Sequence, residues 1–357
     1  MSLRLAVKQG RLQHTLDELA KKLPDIPGAR RWLVRETQKL GCNPVVDTMG
    51  NQFFIIPGRN KGPPTAIGSH MDKTRGALGI AAGLEVLRTL KENNVVPKYP
   101  IALVNWVRVP GVVCMGLAVW AELDMPISGE GVQCLFQDNP LGAHFELEVE
   151  RGSQLRTNNR QIGVVVGGHA ITWKRVRLTG RAQHTGTTAK HLRLDALLAA
   201  AKMISGGLEI AKKQGGLFSV GQMLKVEPNL VNVTANVVEF VYDARHGLEA
   251  DLKGLVSSVN LMCHLMALTE NVGIEITTVT NLPALKFDNE CIECIEEATK
   301  EFVMLGHRMI LGLGHDSCVT SNRCPLAMVF VPDIADADLG FKVLLLSVLK
   351  YDQRRQN

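Results

Sequence analysis

Residues 68–90 read GSHMDKTRGALGIAAGLEVLRTL, and this stretch decides how the rest of the chain is interpreted. An apolar strand, predicted over 65–69, leads through it into a helix predicted over 76–93. His70 and Asp72 form a His-x-Asp pair. This pattern is common in zinc sites, where the imidazole binds the metal and the aspartate accepts from the other ring nitrogen. Zinc needs further ligands, but the residue immediately before the helix is a cation, Arg75.

Length and composition predict a two-domain protein with an ordinary surface. The 357 residues exceed the usual size of one core, and 46% of them are apolar. A net charge of +5, without blocks of like charge, argues against nucleic-acid binding, and no apolar run is long enough for a membrane span. Because no signal-peptide core is visible, we expect a cytoplasmic protein with reduced cysteines and a structural role for Cys291 and Cys294.

The order of strands and helices predicts an α/β fold with a second domain inserted. Apolar strands expected over 52–56, 65–69 and 101–106 alternate with helices, which favours a mixed, mostly parallel sheet flanked by helices. From about Ile171 the pattern changes to long alternating strands around a helix over 195–213, which is typical of an α+β unit. We therefore expect an α/β domain formed by 1–172 and 285–357, and an inserted dimerisation domain formed by 173–284.

Several motifs together resemble the M20 metallopeptidase family, in its N-carbamoyl-amino-acid and allantoate amidohydrolase branch. The stretch 68–90 is similar to that branch's GSHxDT…DGALGVxAGLEVLRTL, with Arg75 in place of the aspartate that bridges two zinc ions. The resemblance implies that RVPG at 108–111 replaces the catalytic NEEG motif. It also implies that the histidine and glutamine of HIEQG are replaced by Glu148 and Arg151.

The family's metal ligands are therefore mostly lost. His70 remains, and His315 in GLGHDS matches the late histidine of the family's GAGHDA. Two protein ligands, such as His70 and Glu148, fall short of the three that usually hold a catalytic zinc. We therefore expect no metal and no other cofactor, and we treat Glu150, in the same EVERG segment, as a further acid/base candidate.

The motifs for substrate binding are retained. LTGRAQHTGTTAKHLRLDAL at 178–197 is similar to FTGxAxHAGTTPMxxRxDAL, so His184 corresponds to a histidine that reaches the substrate across a dimer interface. VEPNLVNVTANVVEFVYDAR at 226–245 is similar to EPxxVNVIPGxVEFxLDIR, which makes Asn232 and Arg245 the residues that hold the substrate's carboxylate and amide. Arginine suits this task because its planar fork pairs bidentately with a carboxylate.

The leading hypothesis is a metal-independent enzyme that acts at a C–N centre of a small amino-acid-like carboxylate. Addition, elimination, cyclisation and condensation are all compatible with it. Two alternatives remain open: a residual ureido or amide hydrolase with one weak metal, and a non-catalytic homologue that binds a small acid or pairs with an active relative. A homodimer is expected, without nucleic-acid or membrane partners. The candidate catalytic residues are His70, Asp72, Glu148 and Arg75, and the candidate substrate-binding residues are His184, Asn232, Arg245, Arg151 and His315.

Overall fold

The chain folds into two compact units, one of which is discontinuous in sequence. The computed structural model describes residues 5–71, 74–107, 120, 134–302, 306–312 and 315–356, with the backbone alone at 74, 75 and 316. The first unit comprises Met1–Gly167 and Lys286–Asn357, and the second comprises Gly168–Leu285. The boundary expected after residue 172 falls inside a strand, because that strand begins at Ala170 and its first residue already pairs within the second unit.

The first unit is a layered α/β structure. Its strands are β1 (Asn43–Val46), β2 (Gln52–Ile56), β3 (Thr65–His70), β4 (Ile101–Trp106), β5 (Ala143–Val149), β6 (Gly163–Gly168), β11 (Leu285–Lys286), β12 (His307–Leu311) and β13 (Leu326–Val331). Its helices are α1 (Arg11–Lys22), α2 (Ile26–Gln38), α3 (Thr74–Glu92), α4 (Gln154–Thr157), α7 (Asn289–Lys300), α8 (Asp316–Thr320) and α9 (Ala337–Arg354), with a 3-10 turn at Ile334–Asp336.

Four parallel strands form the centre of the sheet. The described strands form one sheet in the order β1-β2-β4-β3-β5-β13-β6-β11, with β12 also paired to β6. Strands β4, β3, β5 and β13 are parallel to their neighbours in this run, whereas β1, β2 and β6 pair in antiparallel fashion. The carboxyl ends of the four parallel strands therefore lie along one edge, where α/β proteins usually bind their ligands.

Alternation along β5 separates the core from a row of polar side chains. Phe145, Leu147 and Val149 belong to the main core, on which α3 and α9 pack. Successive side chains point to opposite faces of a strand, so the residues between these apolar positions face the other side. Burial of one large apolar side chain contributes about 2 kcal/mol. A slip of β5 by one residue would expose all of these apolar side chains, so the register is strongly favoured.

The second unit is a four-stranded antiparallel sheet with two helices. The strands are β7 (Ala170–Thr179), β8 (Leu217–Glu227), β9 (Val237–His246) and β10 (Gly273–Leu282), in the order β10-β7-β9-β8. The helices are α5 (Ala196–Gln214) and α6 (Glu249–Thr269), with a 3-10 turn at Lys190–Leu192. A separate core of apolar side chains lies between these helices and the sheet.

Helix α6 is the one described helix that is long and apolar enough, by length and composition alone, to cross a membrane. Its Leu252, Leu255 and Val259 are buried in the core of the second unit. Of its most apolar 18-residue window, 28% is buried inside the structure.

Candidate active site

The polar cluster of the first unit lies at the carboxyl edge of the parallel strands. His70 ends β3, Glu148 lies one residue before the end of β5, and His315 immediately precedes α8. Their side chains are almost completely buried, at 2%, 1% and 5% residual exposure. Buried polar groups require partners, and the partners of these three define the site.

Glu148 and His315 are bonded directly to each other. Nε2 of His315 lies 2.8 Å from Oε2 of Glu148, and Arg151 donates to the other carboxyl oxygen at 3.3 Å. Burial alone raises the pKa of Glu148, but the hydrogen bond and charge of His315, with the charges of Arg151 and His70, lower it to about 2. Glu148 is therefore ionised at neutral pH.

Two further residues, Glu146 and Ser317, belong to this cluster and were missed in the sequence. The Ser317 hydroxyl donates to Oε2 of Glu146 at 2.7 Å, and both side chains are fully buried. Burial raises the pKa of Glu146, and the negative charge of Glu148 raises it further. The charge of His315 opposes both effects without cancelling them. The signal was present in the sequence, because Glu146 alternates with apolar residues in HFELEVE just as Glu148 does.

His144, Glu146 and Glu148 alternate with the apolar residues of β5 and form one row of polar side chains. His144 is the first of the three. Its Nε2 accepts a hydrogen bond from the indole N–H of Trp106 at 3.3 Å. Burial, with a smaller effect from the charge of His315, lowers the pKa of His144 to about 3. The ring is thus neutral at neutral pH.

Close backbone contacts fix the position of His70. A Cβ atom at Gly76 would lie 2.3 Å from Nδ1 of His70, so helix α3 reaches the imidazole only because residue 76 has no side chain. The predicted partner Asp72 and the replacement residue at 108 lie outside the described residues, and Arg75 is described only by its backbone. Their proposed roles remain predictions.

The described side chains do not fit the pair of zinc ions that the family motifs imply. An imidazole nitrogen that binds zinc must be free of its proton, and the other ring nitrogen then donates a hydrogen bond. In His315, Nδ1 instead accepts from the backbone N–H of Ser317 at 3.1 Å, and Nε2 lies 2.8 Å from a carboxyl oxygen of Glu148. Among the described residues, no group of three or more His, Cys, Asp or Glu is arranged to hold a metal ion.

Three of the predicted residues have partners within the protein, and their expected roles remain predictions. His315 and Arg151 were expected to bind substrate, but His315 is buried against Glu148 and Arg151 pairs with the same carboxylate. Glu150 was a candidate acid or base, but it accepts from the backbone N–H groups of Gln154 and Leu155 at 2.7 and 2.9 Å. Glu150 therefore caps the first turn of α4.

In the second unit, His184 and Asn232 lie side by side at the surface. Nδ1 of His184 accepts from the backbone N–H of Gly186 at 3.1 Å, and its Nε2 lies 3.4 Å from Nδ2 of Asn232. The backbone N–H of Thr185 donates to the Asn232 carbonyl at 2.9 Å, which ties the two loops together. Both side chains are exposed.

Arg245 lies on β9 of the same unit. Its Nε and Nη2 donate to the two carboxyl oxygens of Asp243 at 2.9 and 2.5 Å, and its side chain is partly buried. Asp243 and Arg245 are two residues apart, on the same face of the strand, so the carboxylate orients the guanidinium.

Comparison with known proteins agrees with this architecture. No family model matches the chain. The chain is 28% identical over 371 residues to an N-carbamoyl-L-amino-acid amidohydrolase of Rhizobium meliloti, covering 91% of this chain and 89% of that protein. It is 26% identical to an allantoate amidohydrolase of Bacillus subtilis, covering 83% of this chain and 80% of that protein. A hydantoinase/carbamoylase family amidase of Burkholderia ambifaria superposes with a TM-score of 0.90 at 29% identity, over 99% of this chain and 100% of that one.

The fold and these similarities define an amidohydrolase-like protein built from an α/β unit with an inserted α+β unit. The similarity to N-carbamoyl-L-amino-acid and allantoate amidohydrolases supports the resemblance of this chain to that branch of the M20 metallopeptidase family.

Proposed function

We propose that the protein catalyses a reaction at a C–N bond of a small, amino-acid-derived carboxylate, with side-chain acid–base groups in place of two zinc ions. The names of its relatives, amidohydrolases of N-carbamoyl-L-amino acids and of allantoate, support the C–N bond and the substrate class. The replacement of metal ligands at Arg75 and Glu148 supports the change of mechanism.

One observation carries the proposal: the 2.8 Å hydrogen bond between His315 and Glu148, buried at the carboxyl edge of the sheet. In a dinuclear site both positions would contribute an electron pair to a metal. Here the carboxylate of Glu148 accepts a hydrogen bond from His315, and Arg151 supplies a positive charge within the protein.

The proposed roles follow from charge and position. Glu148 is ionised and serves with His70 in proton transfer, since both lie at the strand ends where a ligand is bound. Asp72 is proposed to orient the imidazole of His70, and Arg75 is proposed to stabilise developing negative charge. His184, Asn232 and Arg245 are proposed to hold the substrate, with Arg245 pre-oriented by Asp243 towards a carboxylate.

The decisive experiment uses the purified full-length protein. Turnover of N-carbamoyl-L-amino acids and of allantoate is followed by release of ammonia and by mass spectrometry, with and without a chelator. Metal content is measured on the same sample. We expect turnover that survives chelation, metal far below one per chain, and loss of activity in Glu148→Gln but not in Glu150→Gln.

The other outcomes identify the alternatives. Metal near one per chain with chelator-sensitive turnover overturns the proposal in favour of a residual metal hydrolase. Binding of these acids without any product, by calorimetry and mass spectrometry, overturns it in favour of a non-catalytic binding protein.

We also propose that the protein is a homodimer through its second unit. Leu261, Leu265 and Leu268 recur along one side of α6 and are exposed. Exposed leucines at this spacing are typical of an interface. Light scattering after size exclusion is expected to give twice the chain mass of 39.0 kDa, and a monomer in the Leu265→Glu variant. A wild-type monomer at micromolar concentration contradicts the assignment.

A further inference from the structure

Apolar side chains flank the Asp243–Arg245 pair of the second unit on both sides. Strand β9, which carries the pair, lies between β7 and β8. Across from Arg245 lie Ile171 of β7 and Leu217 of β8, and across from Asp243 lies Trp173 of β7. Directly opposed residues of antiparallel strands have their Cβ atoms about 5 Å apart on one face. We call Ile171, Trp173 and Leu217 the apolar patch.

The apolar patch lies on the face of the sheet that points away from the helices. Phe240 and Tyr242 of β9 belong to the core between the helices and the sheet. Successive side chains of a strand alternate between its two faces, so Asp243, Arg245 and the residues across from them point to the other side. The dimer surface proposed on α6 therefore leaves the apolar patch uncovered.

Trp173 is exposed, unlike every other tryptophan of the chain. Its exposed fraction is 39%, whereas Trp32, Trp106 and Trp120 have 6% or less. An indole offers a large flat apolar surface, and aromatic rings stack on it in offset or edge-to-face contact. A ligand that lies against Trp173 therefore gains from an aromatic group of its own.

The apolar surface ends one strand position beyond Trp173. Arg175 and Arg177, the next residues of β7 on this face, each approach the carboxylate of Glu239 to 3.5 Å. Alternate residues on one face of a strand are about 7 Å apart. The apolar patch is thus large enough for a single side chain, and charged residues limit it on the side away from Arg245.

We propose that Trp173 determines specificity, because it stacks against an aromatic side chain of an N-carbamoyl-amino acid whose carboxylate is held by Arg245. In an α-amino acid the side chain branches from the carbon next to the carboxylate, so a ligand held at Arg245 places it beside the apolar patch. Allantoate carries only polar groups and has nothing to place there. The inference rests on the proposed function, in which Arg245 binds the substrate carboxylate.

Tryptophan fluorescence of the full-length protein measures the occupancy of the apolar patch. Acrylamide is a neutral quencher that reaches exposed indoles and does not compete for Arg245. Because Trp173 is the exposed tryptophan, it accounts for most of the quenching, and Trp173→Phe is expected to abolish that part. We expect N-carbamoyl-L-phenylalanine to protect Trp173 from acrylamide, and N-carbamoylglycine, which has no side chain, to leave it accessible.

Calorimetry on variants measures the contribution of the ring. In Trp173→Ala we expect the Kd of N-carbamoyl-L-phenylalanine to rise about tenfold, the size expected from one aromatic contact. The Kd of N-carbamoylglycine is expected to be unchanged, which also shows that the variant is folded. Trp173→Phe retains a ring and is expected to bind N-carbamoyl-L-phenylalanine nearly as the wild type does.

Met223→Ala is the matched control. Met223 is an apolar residue of the same sheet with a similar exposure, 46%, but it lies across from the core residue Phe240 and thus on the opposite face. We expect this variant to bind all the ligands with wild-type affinity.

Three results overturn the inference: an equal change for both N-carbamoyl acids in Trp173→Ala, no change for either, or tighter binding of allantoate than of N-carbamoyl-L-phenylalanine by the wild type. Turnover measured on the same samples separates the inference from the proposed function. The expected affinities without any turnover refute the function and leave the role of Trp173 intact. Turnover of N-carbamoyl-L-phenylalanine that does not respond to Trp173→Ala refutes the role of Trp173 alone.

Discussion

The two candidate sites of this chain satisfy their polar groups in opposite ways. In the first unit, Glu148, His315 and Ser317 are buried and bonded to one another at 2.7 to 3.1 Å or to a neighbouring glutamate. In the second unit, His184 and Asn232 are exposed and approach each other only at 3.4 Å. A buried cluster with internal partners depends on every member, whereas exposed groups lose little when one is changed.

The largest effect is expected where the internal network is broken. Glu148→Ala leaves His315 and Arg151 without their shared carboxylate. We expect the free energy of unfolding to fall by about 3 kcal/mol, the usual result of removing one partner of a buried pair. Turnover is expected to fall by about 10³-fold, since a proton-transfer group is lost. Denaturant titration and steady-state kinetics measure the two effects, and wild-type values for both would show that the cluster is not the site.

The second prediction concerns His144, the first polar residue of β5. The folded pKa of His144, about 3, is below its ordinary value of 6.5, so the unfolded chain binds the extra proton as the pH falls below 6.5. Stability is therefore lost between pH 6.5 and pH 3, by up to about 1.4 kcal/mol per pH unit.

His144→Gln keeps an acceptor for Trp106 and removes this proton uptake. We expect the free energy of unfolding of the variant to fall less steeply than that of the wild type between about pH 6 and pH 4.5, a window above the titration of Glu148. Equal slopes for the two proteins would mean that His144 is protonated without penalty in the fold.

A smaller effect is expected in the second unit. Arg245→Lys loses the bidentate geometry with Asp243 and, under the proposed function, with a substrate carboxylate. We expect KM to rise about tenfold with kcat nearly unchanged, because this contact holds the substrate equally before and during reaction. Arg177→Lys, on the same sheet but paired with Glu239, is the matched control. A fall in kcat alone would place Arg245 in the chemical step.

The smallest effect is expected at Glu150, which is buried near the site but bonded to backbone. Glu150→Gln weakens the cap of α4, and we expect a loss of about 1 kcal/mol in stability with unchanged kinetics. A tenfold loss of turnover with normal stability would give Glu150 a catalytic role.

The sequence was most informative where a periodic pattern was strong. The predicted strand 52–56 coincides with β2, and the helix predicted over 76–93 is α3 at Thr74–Glu92. Apolar alternation and helical spacing depend only on residues close together in the chain, so they can be recognised in a single sequence. The partner of Glu148 lies 167 residues away and that of Glu146 lies 171 residues away. Such pairings depend on the packing of β5 against α8, which no local pattern encodes.

Gly76 limits which substitutions the start of helix α3 tolerates. Any larger residue there would displace the imidazole of His70, so the helix start must keep its present backbone. Exchanging side chains alone, with aspartate at position 75 and histidine at position 148 as the first two, would therefore test whether this scaffold accepts a zinc pair without any change to its backbone.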